Sequence, residues 1–283
     1  MADASPSPGE MIGTLSDATR IFVPDDLTVM STYVFLEQET WFEAEVPFIR
    51  RLARSGLRAI DIGANLGFYT LMLARGAGSS GHVWSFEPAP PTAQLLRTSI
   101  VENELSNVTV CEAAVGRRSG VVSLGIGHSP ELSSLDVTAG QPQIDVPGVS
   151  LDELFSRGEI ARIDFVKIDA EGAEAEILDG AGAFLGRESP LVMFEIQSGQ
   201  MKMRELVGRF GALGYSVYRC VPLLQALVPY EGAFGAPSIN LFACKPDRAA
   251  RLAAEGLLCD APETVYESVE ASSQRLHSYL GNL

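Results

Sequence analysis

Between Asp61 and Gly67 the chain reads Asp-Ile-Gly-Ala-Asn-Leu-Gly, which interrupts an apolar run and leads straight into a periodic one. A strand that ends in a glycine turn before a helix exposes main-chain N–H groups and lets a ligand approach the backbone closely. A dinucleotide fingerprint starting at Gly63 would need glycine at positions 65 and 68, where Asn65 and Phe68 stand; a pyrophosphate would meet side chains there. The alternative is a ligand without phosphate, whose carboxylate and ammonium groups need N–H donors and a nearby acid. Asp61 is that acid, and S-adenosylmethionine has that polarity. Glu87, 26 residues after Asp61, closes the next apolar run, where a carboxylate can accept hydrogen bonds from two ribose hydroxyls. The small side chains of Ala113 and Ala114, after a third such run, would flank an adenine ring.

A second group of residues has the types needed to act on an acceptor. Methyl transfer is an in-line displacement, so the protein aligns donor and acceptor and excludes water, and an alcohol acceptor must also lose its proton. In open parallel sheets ligands sit beyond the carboxyl ends of the strands, which singles out Asp169, Glu171 and Glu195. Lys167 precedes Asp169 by two residues and shares its face of a strand. An unpaired buried ammonium is strongly disfavoured, so Lys167 requires a carboxylate, from Asp169 or Glu195. We expect Asp169 to accept or orient the hydroxyl proton, Lys167 and Glu171 to support it, and Glu195 to face the acceptor. These oxygens also suit Mg²⁺, although metal-free chemistry is the favoured expectation and no metal ligand is assigned. Of the histidines, His82 and His277 read as surface residues; His128, in an insertion, is the one placed to reach an acceptor.

These residues need a scaffold, and strand patterns alternating with helical ones supply it. "RAIDIG", a helix from about Phe68 to Ala74, "HVWSFEP", a helix from about Thr92 to Asn103, and "NVTVCEAAV" imply a parallel sheet. Between Gly120 and Val149 short apolar pieces broken by Gly, Ser and Pro predict an antiparallel insertion. The rhythm resumes with "SLDELF", where Ser150 and Glu153 have capping-box spacing. It continues with the strands "IDFVKIDA" and "PLVMFEI" flanking a helix "AEAEILDGAGAFL", a helix over about 201–213, and the strands "YSVYRCV" and "INLFACK". The loop 222–237 between these two is long and apolar, which suggests a lid and, with the insertion, a fairly hydrophobic acceptor. The division expected is a disordered tail over 1–12, an N-terminal cap over 13–56 containing "TYVFLEQ" as a short strand or arm and a helix within 40–53, a main domain over 57–246, and a helical extension over 247–283.

The chain of 283 residues carries 21 Lys and Arg against 36 Asp and Glu, a formal charge of −15. That charge repels phosphate backbones and anionic membranes, so neither nucleic acid nor membrane is an expected partner. The four cysteines form no C-x-x-C pair and read as reduced thiols of a cytoplasmic protein.

"DIGANLGFYTL", "FEPAPPTAQLL", "NVTVCEAAVG", "VSLDELF" and "IDFVKIDAEGAEAEILDGA" followed by "LVMFEI" resemble the FkbM family of S-adenosylmethionine-dependent methyltransferases, over about residues 30–246. The resemblance implies a class I methyltransferase fold, α/β and Rossmann-like, with a seven-stranded mixed sheet whose last strand is antiparallel. It also implies O-methylation of a natural product or a saccharide, with Asp61, Gly63, Asn65, Gly67 and Glu87 lining the cofactor. The extension after Asp247 departs from a minimal member; the oligomeric state stays open, a homodimer included. Two rival functions remain at this stage: an NAD-dependent oxidoreductase, disfavoured by Asn65 and Phe68, and a non-catalytic nucleoside-binding protein.

Overall fold

The computed structural model describes residue 6 and residues 8–127, 142–196, 200–232 and 240–259. Its centre is an eight-stranded sheet in the order β12-β11-β13-β10-β9-β3-β4-β5. The parallel half consists of β3 (Arg58–Ile62), β4 (His82–Phe86), β5 (Val108–Cys111), β9 (Phe165–Ile168) and β10 (Leu191–Glu195). Beyond β10 the sheet turns antiparallel through β13 (Asn240–Cys244), β11 (Ser216–Val221) and β12 (Ala226–Pro229). The mixed α/β architecture expected from the sequence, with its last strand antiparallel, is the one observed. The addition is β12, an edge strand formed by part of the long loop expected to act as a lid.

Alternation along the strands sorts the side chains into two layers. Ile60, Ile62, Phe86, Val166, Ile168, Val192 and Phe194 pack on one face. That face is covered by α5 (Leu151–Ser156), α6 (Glu174–Asp179), α7 (Gly182–Glu188) and α8 (Gln200–Ala212). Ala59, Val83, Phe165, Met193 and Phe242 pack on the other face, with α3 (Phe68–Ala77), α4 (Pro90–Glu102) and the N-terminal residues. Asp61, Ser85 and Lys167 are in register on adjacent strands, so a polar seam runs through this second face.

Four sequence expectations change. Ordered structure begins inside the expected tail, with a hairpin of β1 (Glu10–Thr14) and β2 (Arg20–Pro24). "TYVFLEQ" is helical, not extended, and lies in α1 (Met30–Gln38). Its β-branched and aromatic residues favour strands locally, but Val34 and Phe35 are buried on one side of the helix and tertiary packing overrides that preference. The helix expected within 40–53 is shorter, α2 (Val46–Leu52), started by Pro47 in its first turn. "AEAEILDGAGAFL" breaks into α6 and α7 at Gly180, where a Cβ would come within 2.3 Å of the Gly116 carbonyl oxygen. By contrast, Ser150 caps α5 as its spacing predicts, its side chain accepting from the Glu153 N–H.

The insertion is the predicted antiparallel pair, β7 (Gly120–Gly125) and β8 (Gln143–Val149), with the two-residue β6 (Ala114–Val115) alongside β8. Of the expected extension, α9 (Pro246–Ala254) is helical, and residues 260–283 lie outside the described residues. All four cysteines are free thiols, Cys220 and Cys244 buried. No described helix is long and apolar enough to cross a membrane.

Candidate active site

Because β3, β4, β9 and β10 are parallel, their carboxyl ends bring Gly63, Glu87, Asp169 and Glu195 to one edge of the sheet. The turn between β3 and α3 fits there only as this sequence allows. Gly63 has φ +71°, and a Cβ on it would stand 1.7 Å from the Asp169 carbonyl oxygen. Gly67 has φ +95° and abuts Leu96. Asn65 takes φ +49°, a left-handed conformation that asparagine tolerates better than most side chains.

Four of the turn's amides are engaged within the protein, where the sequence alone predicts that they face a ligand. Gly63 and Ala64 both donate to the Phe86 carbonyl at 3.0 Å, Gly67 donates to Ala64 at 2.9 Å, and Asn65 donates to Glu87 Oε2 at 2.9 Å. What the turn leaves over are acceptors. Asp61 Oδ1 and Asn65 Oδ1 are buried without a hydrogen-bond donor. Glu87 also accepts from the Ala89 N–H at 2.9 Å, yet burial raises its carboxyl to about 7.

Asp61 is fully buried. Thr70 Oγ1 donates to its Oδ2 at 2.7 Å and lies 2.7 Å from Ser85 Oγ. Burial raises the Asp61 carboxyl above its ordinary range, against the opposing pull of Lys167. Lys167 Nζ lies 2.8 Å from Asp169 Oδ2 and 3.9 Å from Asp61 Oδ1. Of the two partners the sequence left open, the ion pair is with Asp169. Burial pulls the Lys167 ammonium down, but the carboxylates of Asp169, Asp61 and Glu43 outweigh it and hold it above the usual lysine range.

A pocket beside the turn is lined by Gly63–Tyr69, Lys167 and Asp169, with Ser31, Phe35 and Trp41 of the N-terminal cap forming its far wall. It brings together five of the residues singled out from sequence: Gly63, Asn65, Gly67, Lys167 and Asp169. Asp61 sits beneath it, and Glu87 reaches the turn through Asn65. Glu171 and Glu195 approach Asp169, one oxygen of each of the three lying within 4.8 Å of the others. Burial, followed by the charges of Asp169 and Glu171, pushes Glu195 up to about 8. Ala114 is displaced from the group: it lies in β6, packed with Ala89, Leu124 and Val146. His128 lies outside the described residues.

The cap residues at this site escaped the sequence analysis. Glu43 accepts hydrogen bonds from Trp41 Nε1 at 2.9 Å, from Asn240 Nδ2 at 3.0 Å and from the Tyr69 hydroxyl. The Tyr69 ring lies 5.1 Å from Lys167 Nζ. Phe35, Trp41 and Phe68 pack ring to ring, with centroids 5.3 to 6.3 Å apart. The aromatic pair preceding Glu43 was the available signal, but the donors at positions 69 and 240 become visible only in the fold.

Donors are what this site asks of a ligand. The oxygens of Asp61 and Asn65 that lack a hydrogen-bond donor fit an ammonium, the Glu87 carboxylate fits hydroxyls, and the close-packed glycine turn accommodates no side chain larger than hydrogen at Gly63.

The Methyltransferase FkbM domain profile matches residues 61–217, more than half of the chain. Among curated proteins, Methyltransferase 1 of Beauveria bassiana is 24% identical over 143 residues, 43% of this chain and 57% of the relative. Hexuronic acid methyltransferase AglP of Haloferax volcanii is 27% identical over 140 residues, 49% of this chain and 55% of the relative. The chain thus spans little more than half the length of these curated relatives. A solved structure of a methyltransferase FkbM from Methylobacillus flagellatus superposes with a TM-score of 0.47 at 17% identity, covering 76% of this chain and 47% of that one. The chain belongs to the FkbM methyltransferase family.

Proposed function

We propose that the protein is an S-adenosylmethionine-dependent O-methyltransferase acting on a hydroxyl of a small-molecule natural product or a saccharide. The observation that carries this reading is the pairing of a donor-seeking turn with a carboxylate–ammonium pair in one pocket. Asp61, Gly63, Asn65, Gly67 and Glu87 would hold the cofactor: the free oxygens of Asp61 and Asn65 receive its ammonium, and Glu87 receives its ribose hydroxyls. When bound, the cofactor supplies an electrophilic methyl group on a sulfonium.

The protein's own work falls to the residues after β9 and β10. Asp169 accepts or orients the proton of the acceptor hydroxyl. Lys167 holds the Asp169 carboxylate in place at 2.8 Å, and Glu171 supports it. Glu195 lines the acceptor side. The cap's aromatic wall keeps water from the reacting atoms. These roles need no metal, because the Lys167 ammonium already supplies a cation to Asp169, the carboxylate shared by the potential Mg²⁺ cluster. AglP, by its name, acts on a hexuronic acid, and saccharides are among the acceptors to try first.

The test combines calorimetry and product detection. S-adenosylhomocysteine should bind the full chain with a measurable heat, and incubation with S-adenosylmethionine and a panel of hydroxylated saccharides and natural products should release it. Exhaustive EDTA treatment should change the rate less than about twofold. No heat with either nucleoside would sink the cofactor assignment, and a rate abolished by EDTA and restored by Mg²⁺ would turn Asp169, Glu171 and Glu195 into metal ligands.

A further inference from the structure

We propose that Glu43 is a positioning residue that fastens the N-terminal cap over the cofactor pocket and so controls how quickly the cofactor leaves. The inference rests on the pocket being the S-adenosylmethionine site, and it concerns a residue that takes no part in the chemistry described above.

The segment between Glu39 and Val46 belongs to no helix or strand, yet it carries Trp41, one wall of the pocket. On its N-terminal side the chain is held at the hairpin, where the Ser16 N–H donates to the Glu39 carbonyl at 2.7 Å. On its C-terminal side Arg50 of α2 pairs with Asp17 at 2.7 Å. Neither tie reaches Trp41 itself, which is held at the glycine turn by packing on Phe68 and by one polar anchor. That anchor is Glu43: its carboxylate gathers the indole N–H of Trp41, the amide of Asn240 at the start of β13 and the phenol of Tyr69 in the first turn of α3. One side chain therefore joins the cap to the helix that follows the glycine turn and to the central sheet. Tyr69 is buried and, like Trp41, lines the pocket, so the connection joins two lining residues. Its ring also faces the Lys167 ammonium, which places the fastening next to the proposed acceptor-activating pair.

All three bonds are made by side chains to one half-buried carboxylate. Because all three end on one side chain, its departure from this position releases them together. With Glu43 docked, Ser31, Phe35 and Trp41 close the pocket on the side away from the sheet. With it released, Trp41 keeps its ring contacts with Phe35 and Phe68 but loses its polar tie to α3 and β13, and that side opens more readily.

The dissociation rate of S-adenosylhomocysteine from the full chain tests this, measured by stopped-flow displacement for the wild type, E43A, E43Q and Y69F. E43A should release the nucleoside at least about tenfold faster, with little change in association rate. E43Q keeps the size of the side chain and one acceptor oxygen, and should return to within about threefold of wild type. In a W84F background Trp41 is the sole tryptophan; the nucleoside should protect it from acrylamide quenching with Glu43 present and fail to do so in E43A. If E43A does not fold, Y69F removes one of the three bonds and should still accelerate release several-fold. A folded E43A or Y69F that binds the nucleoside and releases it at the wild-type rate overturns the proposal. A wild type that binds no nucleoside overturns the pocket assignment itself, a distinct outcome.

Discussion

Glu87 and Glu195 close two strands of the same sheet, and burial raises both carboxyl groups, to about 7 and about 8. Their surroundings differ. Each oxygen of Glu87 receives a backbone N–H, from Asn65 and from Ala89, so the proposed cofactor side has its carboxylate fixed by the main chain. Glu195 instead faces Asp169 and Glu171, and its Oε2 is buried without a donor. The nearby ammonium, Lys167, is engaged by Asp169 and Asp61. The Glu87 carboxylate is therefore held by the main chain, while Glu195 sits among other carboxyl groups with one oxygen open to a partner. The lesson is that a common nucleoside can be met by a rigid frame, and the variable acceptor by side chains awaiting a partner.

The most damaging way to break this contrast is G63A. An added Cβ would meet the Asp169 backbone, which cannot yield as a flexible side chain would, at a positive φ that alanine resists. Destabilisation of about 3 kcal/mol or more and loss of nucleoside binding are expected in urea titration and calorimetry; wild-type stability and affinity would show that the two halves need not touch. Next is D169N, which acts on the acceptor half alone. Turnover should fall about 10²–10⁴-fold while the affinity for S-adenosylhomocysteine stays within about threefold. Unchanged turnover would remove Asp169 from proton handling.

E87Q sharpens the cofactor half. A carboxyl whose pKa is raised in the folded state adds stability below its unfolded value, near 4.5, and that stability is lost as pH rises through about 7. The ligand-free wild type should therefore lose about 3 kcal/mol more than E87Q between pH 4.5 and 8. Nucleoside affinity should move the other way, rising with pH through about 7 in the wild type as the carboxylate ionises, and staying flat and about tenfold weaker in E87Q. Parallel pH profiles for the two proteins would detach Glu87 from the ribose.

What local pattern and pairing fix was legible on both sides of the edge. The strands ending at Ile62, Phe86, Ile168 and Glu195 carry near-continuous apolar runs punctuated by glycine or proline, a local signal strong enough to place their carboxyl ends. The partner of Lys167 could be narrowed to two residues because a buried ammonium must be paired. Illegible were features set by distant contacts. The helix at Met30–Gln38 has strand-like composition, and its conformation follows from packing on the β1–β2 hairpin, whose five-residue strands are themselves too short to declare a period. Glu43 draws its meaning from donors at positions 69 and 240. The engagement of the turn amides by Phe86 and Glu87 depends on where the neighbouring strand ends.

Asp61 and Lys167 stand opposite each other in register on adjacent strands, and this has a bearing on how the sheet assembles. A slip of β9 by one residue against β3 would carry Lys167 and its partner Asp169 together to the other layer and leave Asp61 buried without its cation. Stranding that acid carries a penalty that no rearrangement of aliphatic side chains would impose. The pair thus serves as an alignment key for the two central strands, rejecting misthreaded sheets that hydrophobic burial by itself would tolerate.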